Sequence, residues 1–61
     1  MLLLRIERYL RAAKMTPTRF GREAAGDPCL VGDMREGRVL RAKTVARIAA
    51  HLDRAERELG A

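Results

Sequence analysis

The segment DPCLVGDMREG, Asp27 to Gly37, carries a helix start and a helix stop with only nine residues between them. Asp27 suits the N-cap, and Pro28 suits the first helical turn, where its missing N–H costs nothing. Gly37 can take the left-handed conformation that ends a helix. Isolated helices shorter than about 12 to 15 residues are marginal in water. The flanking chain must therefore brace this one, and the rest of the sequence has to supply the brace.

Little besides helix packing can do so. A chain of 61 residues makes one domain (1–61), and a domain of this size buries only about 60% of the surface its unfolded form exposes. Cys29 is the only cysteine, which excludes an intrachain disulfide, and with His51 the only histidine no zinc ligand set is available. No metal and no cofactor are expected. The apolar start MLLLRI is interrupted by Arg5 and Glu7, too short a run for a signal-peptide core or a membrane span. The expectation is a cytoplasmic protein, nucleoid-associated if its partner is DNA, with no membrane partner.

Hydrophobic spacing predicts an all-α domain of four helices, over about 2–14, 17–25, 28–36 and 42–59. In the first, Leu3, Ile6, Leu10 and Ala13 recur at helical spacing. The second starts from Thr16 as N-cap and Pro17 at the first position, with Phe20 and Ala24 one turn apart. In the third, Val31 centres the buried face, with Met34 beside it and Leu30 on the flank. Pro28, Cys29, Gly32, Asp33 and Glu36 then take the opposite face. The fourth repeats Val45, Ile48, Ala49 and Leu52, and Ala55 and Leu59 continue the stripe. Gly21, directly after buried Phe20, is a helical glycine that calls for a packing reason: the second helix must approach the third closely there.

Thirteen Lys and Arg stand against eight Asp and Glu, a net charge of +5. The excess is uneven. Arg5, Arg8, Arg11, Lys14, Arg19 and Arg22 face a single acid, Glu7, in residues 1–22. Arg38, Arg41, Lys43 and Arg47 face none in residues 37–47. Two basic regions flank a net acidic middle, a balance that favours a polyanionic partner.

Two short helices joined by Ala25-Gly26-Asp27 and braced by a longer helix on each side match the helix-turn-helix description. Over TPTRFGREAAGDPCLVGDMREGR and on through TVARIAAHL, the chain resembles the lambda-repressor-like, or Xre-type, helix-turn-helix family. Phe20 and Gly21 match its large apolar residue followed by a small one. Asp27 matches the N-cap, Val31 and Met34 the buried pair, Gly37 the glycine after the third helix, and Val45, Ile48, Ala49 and Leu52 the core of the fourth. Two departures stand out. The family's turn glycine falls on Ala25, with Gly26 in place of an apolar residue, and the outward face of the third helix lacks the Arg, Asn and Gln that read guanine and adenine.

The resemblance implies a small prokaryotic transcriptional regulator that binds double-stranded DNA with its third helix in the major groove. Pro28, Cys29, Gly32, Asp33 and Glu36 would face the bases, and Thr16, Thr18, Arg19, Arg35, Arg38, Arg41 and Lys43 the phosphates. Six neutralised phosphates would give a log-log salt slope of about −5, lowered if these arginines pair with Glu23 or Asp33. A homodimer is the natural way to gain site length, with Leu52, Ala55 and Leu59 as its candidate surface. The alternative is a protein-interaction module on the same scaffold, antitoxin-like or a polymerase adaptor, whose partner is a toxin or RNA polymerase. No catalysis is expected, because Cys29 and His51, the one conceivable nucleophile and base, lie on different helices.

Overall fold

The computed structural model describes residues 1–60. Its elements are α1 (Leu2–Ala13), α2 (Pro17–Ala25), α3 (Leu30–Arg35) and α4 (Ala42–Gly60), with no strand among the described residues. The chain is thus an all-α domain of four helices; residue 61 of the expected domain lies outside the described residues.

Helix α1 turns Ile6, Tyr9 and Leu10 inward and stops one residue earlier than its pattern predicts. Lys14 takes the left-handed conformation (φ 54°), and its N–H donates to the Leu10 carbonyl. A lysine in this role gives no sequence signal, because the position ordinarily favours glycine. Helix α2 starts as its residues require: Thr16 is extended, its hydroxyl accepts from the Arg19 N–H at 3.2 Å, and Pro17 opens the first turn. Gly26 ends it in the left-handed conformation (φ 65°). The left-handed stop of α2 therefore falls on Gly26, not on Ala25.

Helix α3 is six residues long rather than nine. Pro28 and Cys29 form a turn before it, because the Asp27 carboxylate accepts the Cys29 N–H at 2.9 Å and the Asp27 carbonyl accepts the Leu30 N–H at 3.1 Å. Such an Asx closure makes a tight three-residue turn before the helical ladder begins. At the other end the Gly37 N–H donates to Met34 (3.1 Å) and the Arg38 N–H to Asp33 (3.0 Å), the paired bonds of a Schellman stop, with Gly37 at φ 100°.

Phe20 is fully buried at the centre of the core. Tyr9 tilts against its ring at a centroid distance of 5.9 Å, and His51 meets it edge-on at 5.6 Å. Ile6, Leu30, Val31, Ile48 and Leu52 complete the fully buried set. Leu30, Met34 and Val45 differ from the pattern. Leu30, expected on the flank, is fully buried while Met34 is only half-buried, because the close approach at Gly21 draws the first residue of α3 inward. A Cβ placed on Gly21 would lie 3.1 Å from that of Leu30 and 2.2 Å from the Asp27 carbonyl oxygen, so only glycine fits. Val45, expected in the core, is 37% exposed on the first turns of α4, beyond the reach of the central cluster. Outside the core, Arg5 ties α1 to α4 through Asp53 (2.6 Å) and Glu56 (2.7 Å). Among the described residues no helix is long and apolar enough to cross a membrane.

Candidate functional site

The outward side of α3 is built from small residues. Gly32 is exposed, and nothing lies within 4 Å of where its Cβ would be. Pro28 and Cys29 are exposed in the turn before the helix and Glu36 just after it, so four of the five expected face residues are uncovered. Asp33, the fifth, is half-buried and held by Arg38. Gly21 seats α3 against α2 with no side chain between the two backbones, which fixes how far this face projects.

Arg38 is the central charge of the region. Its chain position is just past the Schellman stop, and its Nη1 donates to Asp27 at 2.9 Å and to Asp33 at 3.1 Å. Both carboxylates lie near the start of α3, where the helix dipole also favours negative charge. The Arg38 guanidinium, together with the Cys29 N–H, holds the Asp27 carboxyl below its ordinary value. One of the two negative charges at the start of α3 is therefore offset by the chain itself.

Two more of the expected phosphate contacts are similarly engaged. Arg19 pairs with Glu23 one turn on, at 2.8 Å, and holds that carboxyl below its usual value. Arg35 forms a two-pronged pair with Glu7, at 2.7 and 2.8 Å, which ties α3 to α1 and holds the Glu7 carboxyl down likewise. Arg41 and Lys43 are exposed and have no carboxylate partner among the described residues, as does Arg22, which the sequence reading did not single out. Thr16 spends its hydroxyl oxygen on the α2 cap, while Thr18 is exposed beside it. The Glu7–Arg35 bridge spans 28 residues and left no sequence signal, whereas Arg19–Glu23 is readable from its i,i+4 spacing.

The expected self-association surface requires a correction. Leu52 is fully buried in the chain's own core, and Ala55 is half-buried against it, because Leu52 lies a turn past Ile48 on the side of α4 facing α1 and α2. Only Leu59, 43% exposed, remains available on that stripe. Among the described residues no cluster of three or more His, Cys, Asp or Glu is placed to hold a metal ion.

Compared with known proteins, the chain matches no family model, no curated protein and no solved structure. What its own geometry defines is a small four-helix domain with a short, uncovered third helix and unpaired cations around it.

Proposed function

We propose that α2 and α3 form a helix-turn-helix of lambda-repressor-like type, and that the protein is a small prokaryotic regulator that binds double-stranded DNA with α3 in the major groove. The observation that carries this reading is the Arg38 clamp. By pairing with Asp27 and Asp33 it offsets one of their two negative charges and so lessens the repulsion an approaching polyanion would meet, while Arg41 and Lys43 stay unpaired in the chain just after α3. Gly32 lets the helix backbone come close to a groove, and Cys29 offers a small apolar contact of the kind that suits a thymine methyl. Glu36 is the one face residue left to accept a hydrogen bond, which favours cytosine. With so few polar groups on the face, affinity comes mostly from the backbone of the duplex, and two chains on half-sites one helical turn apart would supply specificity. The reading assigns no catalysis, since His51 is packed against Phe20 and Cys29 stands exposed in the turn between α2 and α3.

A second reading, a protein-interaction module of antitoxin or polymerase-adaptor type, draws on one observation: three of the five expected cationic contacts are tied to carboxylates. The two are separated by reversing the free cations. Arg41→Glu with Lys43→Glu should weaken binding to a random duplex by at least about tenfold at low salt, since about two phosphate contacts are lost and replaced by repulsion. Unchanged affinity in a variant that keeps its helical circular dichroism would move the assignment to the protein-binding reading.

A further inference from the structure

Across residues 27–43, the segment that holds α3, four cations stand against three acids, and the Glu7–Arg35 bridge brings in a fourth acid. The part of the chain that would meet a duplex therefore nets zero, although the whole chain carries +5. Acids in this position lower the affinity for a polyanion, so their presence needs a reason. Local structure does not supply one. The Asp27 carboxylate accepts the Cys29 N–H at 2.9 Å, a bond that the amide oxygen of an asparagine makes as well. The Asp33 carboxylate has no hydrogen-bond partner among the described residues except Arg38, at 3.1 Å, and the Glu23 carboxylate none except Arg19, at 2.8 Å. Exposed ion pairs of this kind add little stability, and the side chains of Arg38 and Arg19 are 44% and 66% exposed. What the three charges do accomplish is to occupy two guanidinium groups.

The pairs differ in how firmly they hold. Arg35 commits Nε and Nη2 to both oxygens of Glu7 and joins α3 to α1 across 28 residues, so that pair is a strut. Arg38 commits Nη1 alone, split between two carboxylates, and Arg19 commits Nε alone. Their other N–H groups are free of carboxylates among the described residues, but a phosphate approaching them meets the negative charge of Asp27, Asp33 or Glu23 as well. Removing that charge leaves a whole guanidinium fork for the phosphate, the geometry arginine favours.

We propose that Asp27, Asp33 and Glu23 form an autoinhibitory set that withholds Arg38 and Arg19 from the phosphates and so holds duplex affinity down, an inference that rests on the DNA-binding reading. In the parent protein Arg41 and Lys43 meet the backbone of the duplex. Loss of the three carboxylate charges adds Arg38 and Arg19 to them, while the Arg35 strut stays in place.

The test compares the parent with a variant carrying Glu23→Gln, Asp27→Asn and Asp33→Asn, each titrated into a labelled random duplex of about 30 base pairs between 50 and 200 mM salt. Four phosphate contacts in place of two should steepen the log-log slope from about −2 to about −3.6, so that the loss of affinity over this range grows from about 12-fold to about 150-fold. Binding at 50 mM salt should tighten at least about tenfold. Adding Arg19→Ala and Arg38→Ala to the amide variant should return the slope to about −2, because freed arginines and not lost repulsion produce the gain. Glu23→Gln alone leaves α3 untouched and isolates the share of Arg19, with a slope of about −2.7. Equal slopes for the parent and both amide variants, all of them bound, would overturn the proposal and leave the DNA-binding reading standing. A gain that survives Arg19→Ala with Arg38→Ala would also overturn it, since the acids would then merely repel the duplex. Binding by none of the proteins at the lowest salt would refute the DNA-binding reading, and this inference with it.

Discussion

Replacing Gly21 by alanine and Gly32 by alanine should change stability in opposite directions, although both are glycines on neighbouring short helices. Alanine gains up to about 1 kcal/mol over glycine in a helix interior, from backbone entropy alone. At Gly32 nothing opposes that gain, because no atom lies within 4 Å of the new methyl group. At Gly21 the methyl would sit 2.2 Å from the Asp27 carbonyl oxygen. That oxygen cannot swing aside, since it accepts the Leu30 N–H at 3.1 Å, and the Asp27 N–H in turn donates to Gly21 itself at 3.1 Å. Relief requires α3 to move bodily off α2. Overpacking of this kind costs about 1–3 kcal/mol, and each weakened hydrogen bond about 0.5–1.5 more. After the helical gain is subtracted, Gly21→Ala should lose about 1–3 kcal/mol, and each kcal/mol shifts Tm by about 4–8 °C in a domain this small. Thermal melts by far-UV circular dichroism should place Gly32→Ala a few degrees above the parent and Gly21→Ala well below it. A Gly21→Ala protein as stable as the parent would refute the close α2–α3 contact and, with it, the seating of the exposed helix.

Further outcomes follow from the core and the ion pairs. Leu52→Ala should cost about 2–5 kcal/mol, which rivals the roughly 3–9 kcal/mol total expected for 60 residues, so the variant should be largely unfolded in a urea melt. Leu59→Glu should stay within about 0.5 kcal/mol of the parent in the same melt; if the protein dimerises through the end of α4, light scattering should show that variant as a monomer. Glu7, Glu23, Asp27 and Glu56 all have carboxyl pKa values lowered by arginine partners. Each therefore adds stability that is complete above the unfolded carboxylate range near pH 4 and is lost as pH falls through the lowered folded values. Melting temperature should be level down to about pH 5 and decline below it, and a Tm that rises on acidification would contradict the pairing.

The four helices and their order were legible because each had its own local signal: Thr16-Pro17 at one start, Asp27-Pro28 and Gly37 around the third helix, and a stripe of one apolar residue per turn on α1 and α4. Gly21 was legible as a contact point, since a glycine beside a buried phenylalanine has few other reasons to be there. What escaped was set by tertiary placement. The stripe on α4 continues past Val45 in sequence, but only the part facing α1 and α2 finds a core, so Val45 is left out and Leu52 taken in. The pairing of Arg35 with Glu7 and of Arg5 with Asp53 and Glu56 joins residues far apart in the chain, which no spacing rule reaches. The pairing of an arginine with Asp33 was open in the sequence, but that Arg38 also reaches Asp27 depends on the Schellman stop, which turns the chain back toward the start of α3.

Those ion pairs give the central proposal its sharpest test, a fluorescence-anisotropy titration of a labelled random duplex of about 30 base pairs from 50 to 200 mM salt. If α3 enters the groove while Arg19, Arg35 and Arg38 keep their carboxylates, Arg41 and Lys43 carry the phosphate contacts and the log-log slope is about −2, a weakening of about 12-fold over that range. A slope near −5 would contradict the assignment of the phosphate contacts to Arg41 and Lys43 alone, and no binding at the lowest salt would contradict DNA binding itself.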